Sequence, residues 1–277
     1  MKLKLATLFC FVLVSCSSLA FSQEPEQKFQ GFNLQGYDKN GETAWNVNGD
    51  TANIIGQEII LSNVDANSFG EQKMNLTAKT GVVNQTSGEI HLEKDVVITS
   101  EDGKQLTTDT LNWNRNEDLV TTEDDVRITD KRMMATGTGM RARPGLKNAR
   151  LNEDVTVMID TEPKLKEESK TETVTITSDG PMEIDQVSSL ATFEDNVVAV
   201  QEDRTLKADR MEIYFDTKMN QIDRMVCIGN VSIVQGENQS YAQRAVYTAK
   251  EQKLTLTGRP KLILLTEGGG LFAAAGN

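Results

Sequence analysis

The stretch GEIHLEKDVVI, residues 88–98, decides the fold of this chain. Ile90, Leu92, Val96 and Ile98 share one parity, and three polar residues, 93–95, separate the two pairs. Alternation with period two is typical of a β-strand that buries one of its faces. The interruption predicts a bulge where the strand bends, because Asp, Asn and Gly tolerate the unusual backbone angles of such a position.

The same pattern recurs along the chain after residue 30. Its copies are Val120, Thr122, Val126 and Ile128; Ala149, Leu151, Val155 and Val157; Ala191, Phe193, Val197 and Ala199; Met225, Cys227, Val231 and Ile233; and Leu254, Leu256, Pro260 and Leu262. A second strand pattern precedes them, with anchor residues Ala78, Thr108, Gly137, Ser178, Ala208 and Ala242, spaced by 30, 29, 41, 30 and 34 residues. Such a period predicts an all-β fold, in which repeated antiparallel strand pairs stack to cover one apolar face.

The longest interval between anchors contains a charged run, residues 161–173, that is almost free of apolar side chains. Such a run predicts a linker between two blocks of strand pairs, residues 30–160 and 174–265. The last residues, 266–277, contain three consecutive Gly and three consecutive Ala, which predict a flexible tail.

The first segment, residues 1–22, has the pattern of an export signal. Lys2 and Lys4 precede an apolar stretch that is too short for a membrane span. Two processing routes are open: Cys16 becomes lipidated after the lipobox-like residues 13–15, or ordinary cleavage follows Ser22. A third alternative is an uncleaved anchor that runs to Phe21. All three place the body of the chain outside the cytoplasm.

Composition narrows the function classes. The chain has 277 residues and carries 29 Lys and Arg against 41 Asp and Glu, a net charge of −12, which argues against nucleic acid as a partner. It has one His and three Cys, and only Cys227 lies beyond the N-terminal segment. The sequence has no phosphate-binding loop, metal-ligand spacing or nucleophile elbow. We therefore expect a protein that is not an enzyme and that uses no metal or cofactor.

Individual residues have plain structural interpretations. His91 alternates with inward residues, so we expect it on the surface, whereas Cys227 occupies an inward position as a small hydrophobe. Trp45 and Trp113 are expected in the core or at its rim. The acidic turns, such as residues 123–125, are expected to be solvated bulges; a row of calcium sites is the alternative, although its Gly-rich motif is absent.

With catalytic, metal and nucleic-acid sites disfavoured, we expect the function to depend on the shape of the folded sheet. An antiparallel sheet that curls into a roll has an apolar interior, and small residues there favour a groove that accepts acyl chains. Its end strands can add a strand from a partner. A closed, fully packed roll is the alternative. The candidate lipid-binding residues of the inward face are Ile90, Leu92, Val96, Ile98, Leu111, Trp113, Val126, Ile128, Met211, Ile213, Phe215, Val231, Ile233, Leu256 and Leu262.

Several short motifs resemble known families. The motifs FNLQGYD (32–38), WNVNGDTA (45–52), LTTDTLNW (106–113) and ATGTGM (135–140) resemble the LptC proteins of lipopolysaccharide export. After the charged run, ADRMEIYF (208–215), GNVSI (229–233) and LTGRPKL (256–262) resemble the LptA, or OstA-like, family. The chain thus resembles two modules of one export system, joined head to tail.

The resemblance implies a twisted, open β-jellyroll in each of the two blocks. It also implies a non-enzymatic periplasmic protein, with or without a lipid anchor at Cys16, that carries lipopolysaccharide acyl chains in an apolar groove. The implied partners are the permeases of an inner-membrane ABC transporter and other OstA-like proteins. These include the outer-membrane translocon, and contact is by edge-strand addition. A structural or adhesive β-solenoid that binds no lipid is the alternative, and a β-helical polysaccharide-cleaving enzyme is a third.

Overall fold

The computed structural model describes residues 27–69, 73–114, 116–143, 148–161, 172–216 and 221–264. The signal segment with Cys16, residues 162–171 of the charged run and the tail lie outside these ranges. The described residues form strands and turns, and none of them belongs to a helix that could cross a membrane.

Seventeen strands follow one another along the chain. They are β1 (Gln27–Tyr37), β2 (Thr43–Ile55), β3 (Glu58–Ser68), β4 (Met74–Asn84), β5 (Glu89–Ser100), β6 (Gln105–Asn114), β7 (Leu119–Thr129), β8 (Met133–Ala142), β9 (Asn148–Thr161), β10 (Glu172–Ser178), β11 (Met182–Asp185), β12 (Leu190–Gln201), β13 (Arg204–Phe215), β14 (Ile222–Gln235), β15 (Asn238–Thr248), β16 (Lys253–Thr257) and β17 (Lys261–Ile263).

All of these strands belong to one antiparallel sheet in which neighbours in sequence are neighbours in space. Two positions hold a pair of short strands instead of one long strand. β10 and β11 lie end to end between β9 and β12, and β16 and β17 both pair with β15. The prediction of an all-β, open jellyroll made of antiparallel strand pairs is confirmed.

The polar interruptions are the bends of the strands. The pairing of β5 with β6 shifts between Glu93 and Val96, and Lys94 and Asp95 there have φ angles of 63° and 54°. The same shift occurs in β12 between residues 194 and 197, and in β14 between residues 228 and 231. The predicted bulges are therefore present. At each bulge two residues have no cross-strand partner, and after it the side chains of the original parity point inward again.

The anchors of the 30-residue repeat lie on the inner side of these bends. Val96 faces Thr108, Val126 faces Gly137, Val197 faces Ala208, and Val231 faces Ala242 across neighbouring strands. A Cβ atom at Gly137 would lie 3.1 Å from the carbonyl oxygen of Glu153 and 3.2 Å from Leu151 Cβ. At Gly137 the residue is therefore small because space at the bend is short, rather than because it leaves a groove empty.

The two halves of each bent strand enclose the core. One cluster of buried side chains runs from Ala78 to Ala245, with Val96, Val197 and Met211 fully buried. A smaller cluster, made of Ala52, Leu61 and Val64, forms the core of the N-terminal strands β2 and β3. A single sheet buries one face in this way only by folding over on itself, as in sheet-on-sheet packing.

The sheet continues through the charged run. β9 pairs with β10 from Thr161–Glu172 to Val155–Ser178, and with β11 from Leu151–Met182 to Asn148–Asp185. Residues 161, 172 and 173 of the expected linker are therefore part of strands. The division into domains at residues 160 and 174 stays a prediction, but the described residues on its two sides share one sheet and one core.

Candidate functional site

The inward face of the sheet carries an apolar row near one end of the strands, which we call the first rim row. Cross-strand pairing links its members one after another across the whole sheet. They are Leu34, Val47, Ala66, Leu76, Ile98, Leu106, Ile128, Ala135, Val157, Ile176, Ala199, Leu206, Ile233, Ser240 and Leu262. Every member except Ser240 is apolar. At the usual strand spacing, the row extends on the order of 65 Å along the sheet.

A second rim row lies near the opposite ends of the strands. Its paired members are Ile54, Ile59, Val83, Ile90, Trp113, Val120, Ala142, Ala149, Ile184, Ala191, Ile213, Met225, Tyr247 and Leu254. Many members of both rows, such as Ile98, Trp113 and Ile233, are half-buried and pack against the main core. Other members, such as Val157 and Ile213, are 1% exposed, so each row meets the solvent only at its half-buried and exposed members.

The candidate residues expected on the inward face divide between the rims and the bend. Ile98, Ile128, Ile233 and Leu262 belong to the first rim row, and Ile90, Trp113 and Ile213 to the second. Six others lie deeper and are almost fully buried: Leu92, Val96, Leu111, Val126, Met211 and Val231. The structure thus brings these side chains to one face. A guest molecule could reach the half-buried and exposed rim residues, but not Ile213, which is 1% exposed, nor the six deeper residues.

The C-terminal copy of the pattern differs from the others. Leu256 and Phe215 are half-buried against the core, but Leu262 is 59% exposed, although it continues the first rim row. The reason is its place on β17, the last strand of the described residues, which pairs with β15 on one side and with no other described strand. Its neighbours Ile263 and Leu264 are exposed as well.

Sequence reasoning missed several rim residues. Ile176 is 2% exposed and Leu106 is 1% exposed, and both belong to the first rim row. The signal for Ile176 was present, since Val174, Ile176 and Ser178 alternate, but the adjoining charged run concealed it. Ile184, in a strand of only four residues, carries almost no periodic signal.

The outward face carries polar and charged side chains together with exposed apolar ones, such as Ile60, Met158 and Val200. His91 lies there, as expected, with its Nδ1 2.7 Å from Asn112 Oδ1 and its Nε2 3.0 Å from a carboxylate oxygen of Glu93. The hydrogen bond to Asn112 is the largest cause that raises its pKa, and the hydrogen bond and charge of Glu93 raise it further. This contact is an ordinary surface pairing on the outer side of β5 and β6.

Carboxylates collect on the outer side of the bend. Asp95, Asp109, Asp125 and Asp154 line a cleft of about 760 Å³, together with Arg127. In the described part of the chain, no three His, Cys, Asp or Glu side chains converge in a way that would hold a metal ion. These acidic groups therefore lie on the face opposite the apolar rows and form a solvated bulge surface.

Two polar groups are buried among apolar side chains: the thiol of Cys227 and the indole nitrogen of Trp113. Burial raises the pKa of the Cys227 thiol to about 12, so this side chain behaves as a small hydrophobe, as expected, and not as a thiolate nucleophile. The indole nitrogen of Trp113 is buried, and no acceptor of the described residues lies within hydrogen-bond distance. Trp45, by contrast, is 43% exposed on β2.

Two family models match this chain, one on each side of the charged run. The first, described as lipopolysaccharide-assembly, LptC-related, matches residues 17–160. The second, described as LptA/(LptD N-terminal domain) LPS transport protein, matches residues 175–270. A search of curated proteins finds no match. With more than half of its length matched by the first model, the chain belongs to the LptC-related family of lipopolysaccharide-assembly proteins, joins to it an LptA/LptD-type segment, and serves in lipopolysaccharide transport.

Proposed function

We propose that this protein is a periplasmic segment of a lipopolysaccharide transport bridge and that acyl chains travel along its apolar rim rows. In this model, lipid leaves the permeases of an inner-membrane ABC transporter and passes along the sheet toward the outer membrane. In this proposal the energy for movement comes from the transporter, and the matched families, described as lipopolysaccharide assembly and transport proteins, support that role.

The observation that carries the proposal is the continuity of the first rim row. It crosses from Val157 on β9 to Ile176 on β10, so it passes without a gap from the LptC-type segment into the LptA-type segment. Half-buried aliphatic side chains such as Ile98 and Ile128 gain free energy when an acyl chain covers them, about 0.8 kcal/mol for each buried CH₂. In this model a chain slides along the half-buried members of the row, while Val157 and Ile176 at the crossing are 1% and 2% exposed and line the path from beneath.

Exposed apolar residues at both ends of the sheet support contacts with further OstA-like proteins. Phe29 and Leu34 on β1 are 47% and 42% exposed, and Leu262 on β17 is 59% exposed. β1 pairs only with β2 among the described strands, and β17 only with β15, so each has one edge free for strand addition. The outer-membrane translocon is one such partner in this proposal.

The carboxylates on the outer side of the bend do not conflict with an anionic cargo, because they lie on the face opposite the proposed path of the acyl chains. Asp95, Asp109 and Asp125 point away from the apolar face that would hold the acyl chains. Dispersion and burial of hydrocarbon, rather than charge attraction, therefore supply the affinity in this model.

Site-specific photo-crosslinking in cells tests the proposal. A photoreactive residue at Ile98 or Ile233, both half-buried rim positions, should form adducts with lipopolysaccharide. Fully buried Val96 is a poorer choice, because a bulky probe would overpack the bend. The matched control places the probe at Thr99, the next residue along β5, which points to the outer face and should give no adduct.

A scaffold that binds no lipid is the second candidate. The full burial of Val96 and Val197 favours it, since a sealed interior of this kind needs no guest. If every rim position fails to crosslink while expression stays normal, the scaffold model is correct and the transport path is wrong.

A further inference from the structure

Trp113 presents a hydrogen-bond donor in an otherwise apolar row. Its ring lies in the second rim row between Ile90 on β5 and Val120 on β7, and it packs against the main core. Its Nε1–H is buried, and the described residues offer it no acceptor. An unsatisfied buried donor is rare in folded proteins and calls for an explanation.

The nearest amide side chains on the same strand are already engaged. Asn112 Oδ1 lies 2.7 Å from His91 Nδ1, and Asn114 Oδ1 accepts hydrogen bonds from the backbone N–H groups of Asn116 and Glu117. Both amides therefore have partners of their own. The described residues therefore leave the Trp113 Nε1–H without an acceptor. A molecule that enters the row supplies one when the side chains around the buried nitrogen move apart.

The surroundings restrict what that molecule can be. The cross-strand neighbours of Trp113 carry only hydrocarbon side chains, so a polar solute would leave its own groups unsatisfied there. A guest that fits both features is a hydrocarbon chain with a carbonyl oxygen close to it. This description is that of an acyl chain with its ester or amide link, and a plain alkyl chain does not meet it.

We propose that Trp113 Nε1–H donates a hydrogen bond to the ester or amide carbonyl oxygen of an acyl chain that lies along the rim, and so makes the protein select acyl over alkyl lipids. The inference rests on the proposed lipid path and names a selectivity residue within it. The indole ring would then position the polar end of the chain near β6.

Two probes that differ at one group test this selectivity on the full chain. Monotetradecanoylglycerol has an ester carbonyl, and 1-O-tetradecylglycerol has the same chain on an ether oxygen. Calorimetric titration should show the ester binding about three- to tenfold more tightly to the wild type, the usual effect of one hydrogen bond. In Trp113→Phe, which keeps an aromatic ring but has no N–H, the two probes should bind equally.

The outcomes separate the two proposals. If the wild type binds both probes equally, or if Trp113→Phe keeps the ester preference, the role of Trp113 is wrong while the lipid path stands. If the wild type binds neither probe but binds lipopolysaccharide, the role of Trp113 is wrong as well; if it binds none of the three, both proposals fall. A buried water as the partner of Nε1–H predicts equal binding of the two probes, so it is one of the overturning results.

Fluorescence of a single-tryptophan chain gives a second readout that needs no change at the site. Trp45→Phe leaves Trp113 as the only tryptophan, because the chain has two. The ester probe should shift its emission to longer wavelength more than the ether probe does. Equal shifts with the two probes would overturn the proposal even if Trp113→Phe failed to fold.

Discussion

Leu151 and Met182 lie directly opposite each other on β9 and β11, and they are 2% and 5% exposed. They come from segments that two different family models match, yet they pack as neighbours within one core. The junction between the LptC-type and LptA-type segments is therefore an ordinary part of the sheet. It is a covalently joined version of the strand addition that we propose for the free edges of β1 and β17.

Cleavage of the connection should leave the two segments associated. Seven cross-strand pairs join β9 to β10 and four join β9 to β11, and the core crosses the same boundary. A protease site placed within residues 162–171 should therefore give two pieces that elute together in size-exclusion chromatography. Met182→Asp buries an unpaired carboxylate at the junction, so the cleaved variant should separate. Separate elution of the cleaved wild type would contradict a shared core.

The bend should tolerate Asp95 but not a β-branched residue. Asp95 has a φ of 54°, which Val adopts at a cost of about 1–2 kcal/mol. We expect Asp95→Val to lower the free energy of unfolding by that amount in urea denaturation. The ion pair of Asp95 with Lys79, at 3.6 Å, is exposed and contributes little.

The control for the bend is Asp109→Val on β6. Asp109 lines the same acidic cleft but lacks a positive φ, so its replacement should change stability by less than about 0.5 kcal/mol. Equal losses in the two variants would mean that charge, and not backbone conformation, stabilises the bend.

Larger side chains at the anchor positions should lower the free energy of unfolding. Ala208 is 5% exposed and faces Val197 at the inner side of the bend. Ala208→Leu should lower the free energy of unfolding by about 1–3 kcal/mol because the added carbons overpack this position. Lys207→Leu, one residue earlier and on the outer face, should be close to neutral. An unchanged stability of Ala208→Leu would show that the interior has spare room at the bend.

His91 should titrate above its ordinary pKa of 6.5. Its hydrogen bond to Asn112 is the main cause, and Glu93 adds a hydrogen bond and a negative charge. A raised pKa in the folded state means that protonated His91 stabilises the fold below pH 6.5, and that this stabilisation disappears as pH rises through the folded pKa. The effect is small, since the His91 side chain is 40% exposed.

The single His makes this pKa directly measurable by NMR titration of the imidazole protons. Asn112→Ala should move the midpoint down toward 6.5. A wild-type midpoint at or below 6.5 would show that the contact with Asn112 does not form in solution.

Sequence periodicity predicted the inward face of most strands. In the copies at residues 120–128, 149–157 and 191–199 every expected inward residue is buried or half-buried, because the β-pleat alternates side chains without regard to distant contacts. The bulges were also predictable, because polar residues such as Lys94 and Asp95 interrupt the apolar alternation, and both adopt a positive φ in the structure. Periodicity failed for Leu262, where burial depends on whether another strand follows.

What the amino-acid sequence determined by itself is therefore local: the strand pairs, the parity of each strand and the positions of its bends. The tertiary structure alone decided that β10 and β11 share one position beside β9, so that two segments form one sheet and one apolar row. It also placed the Trp113 indole nitrogen where none of the described residues offers it an acceptor. The physical reason is that pairing across a long connection and the supply of hydrogen-bond partners depend on residues distant in sequence, about which local alternation carries no information.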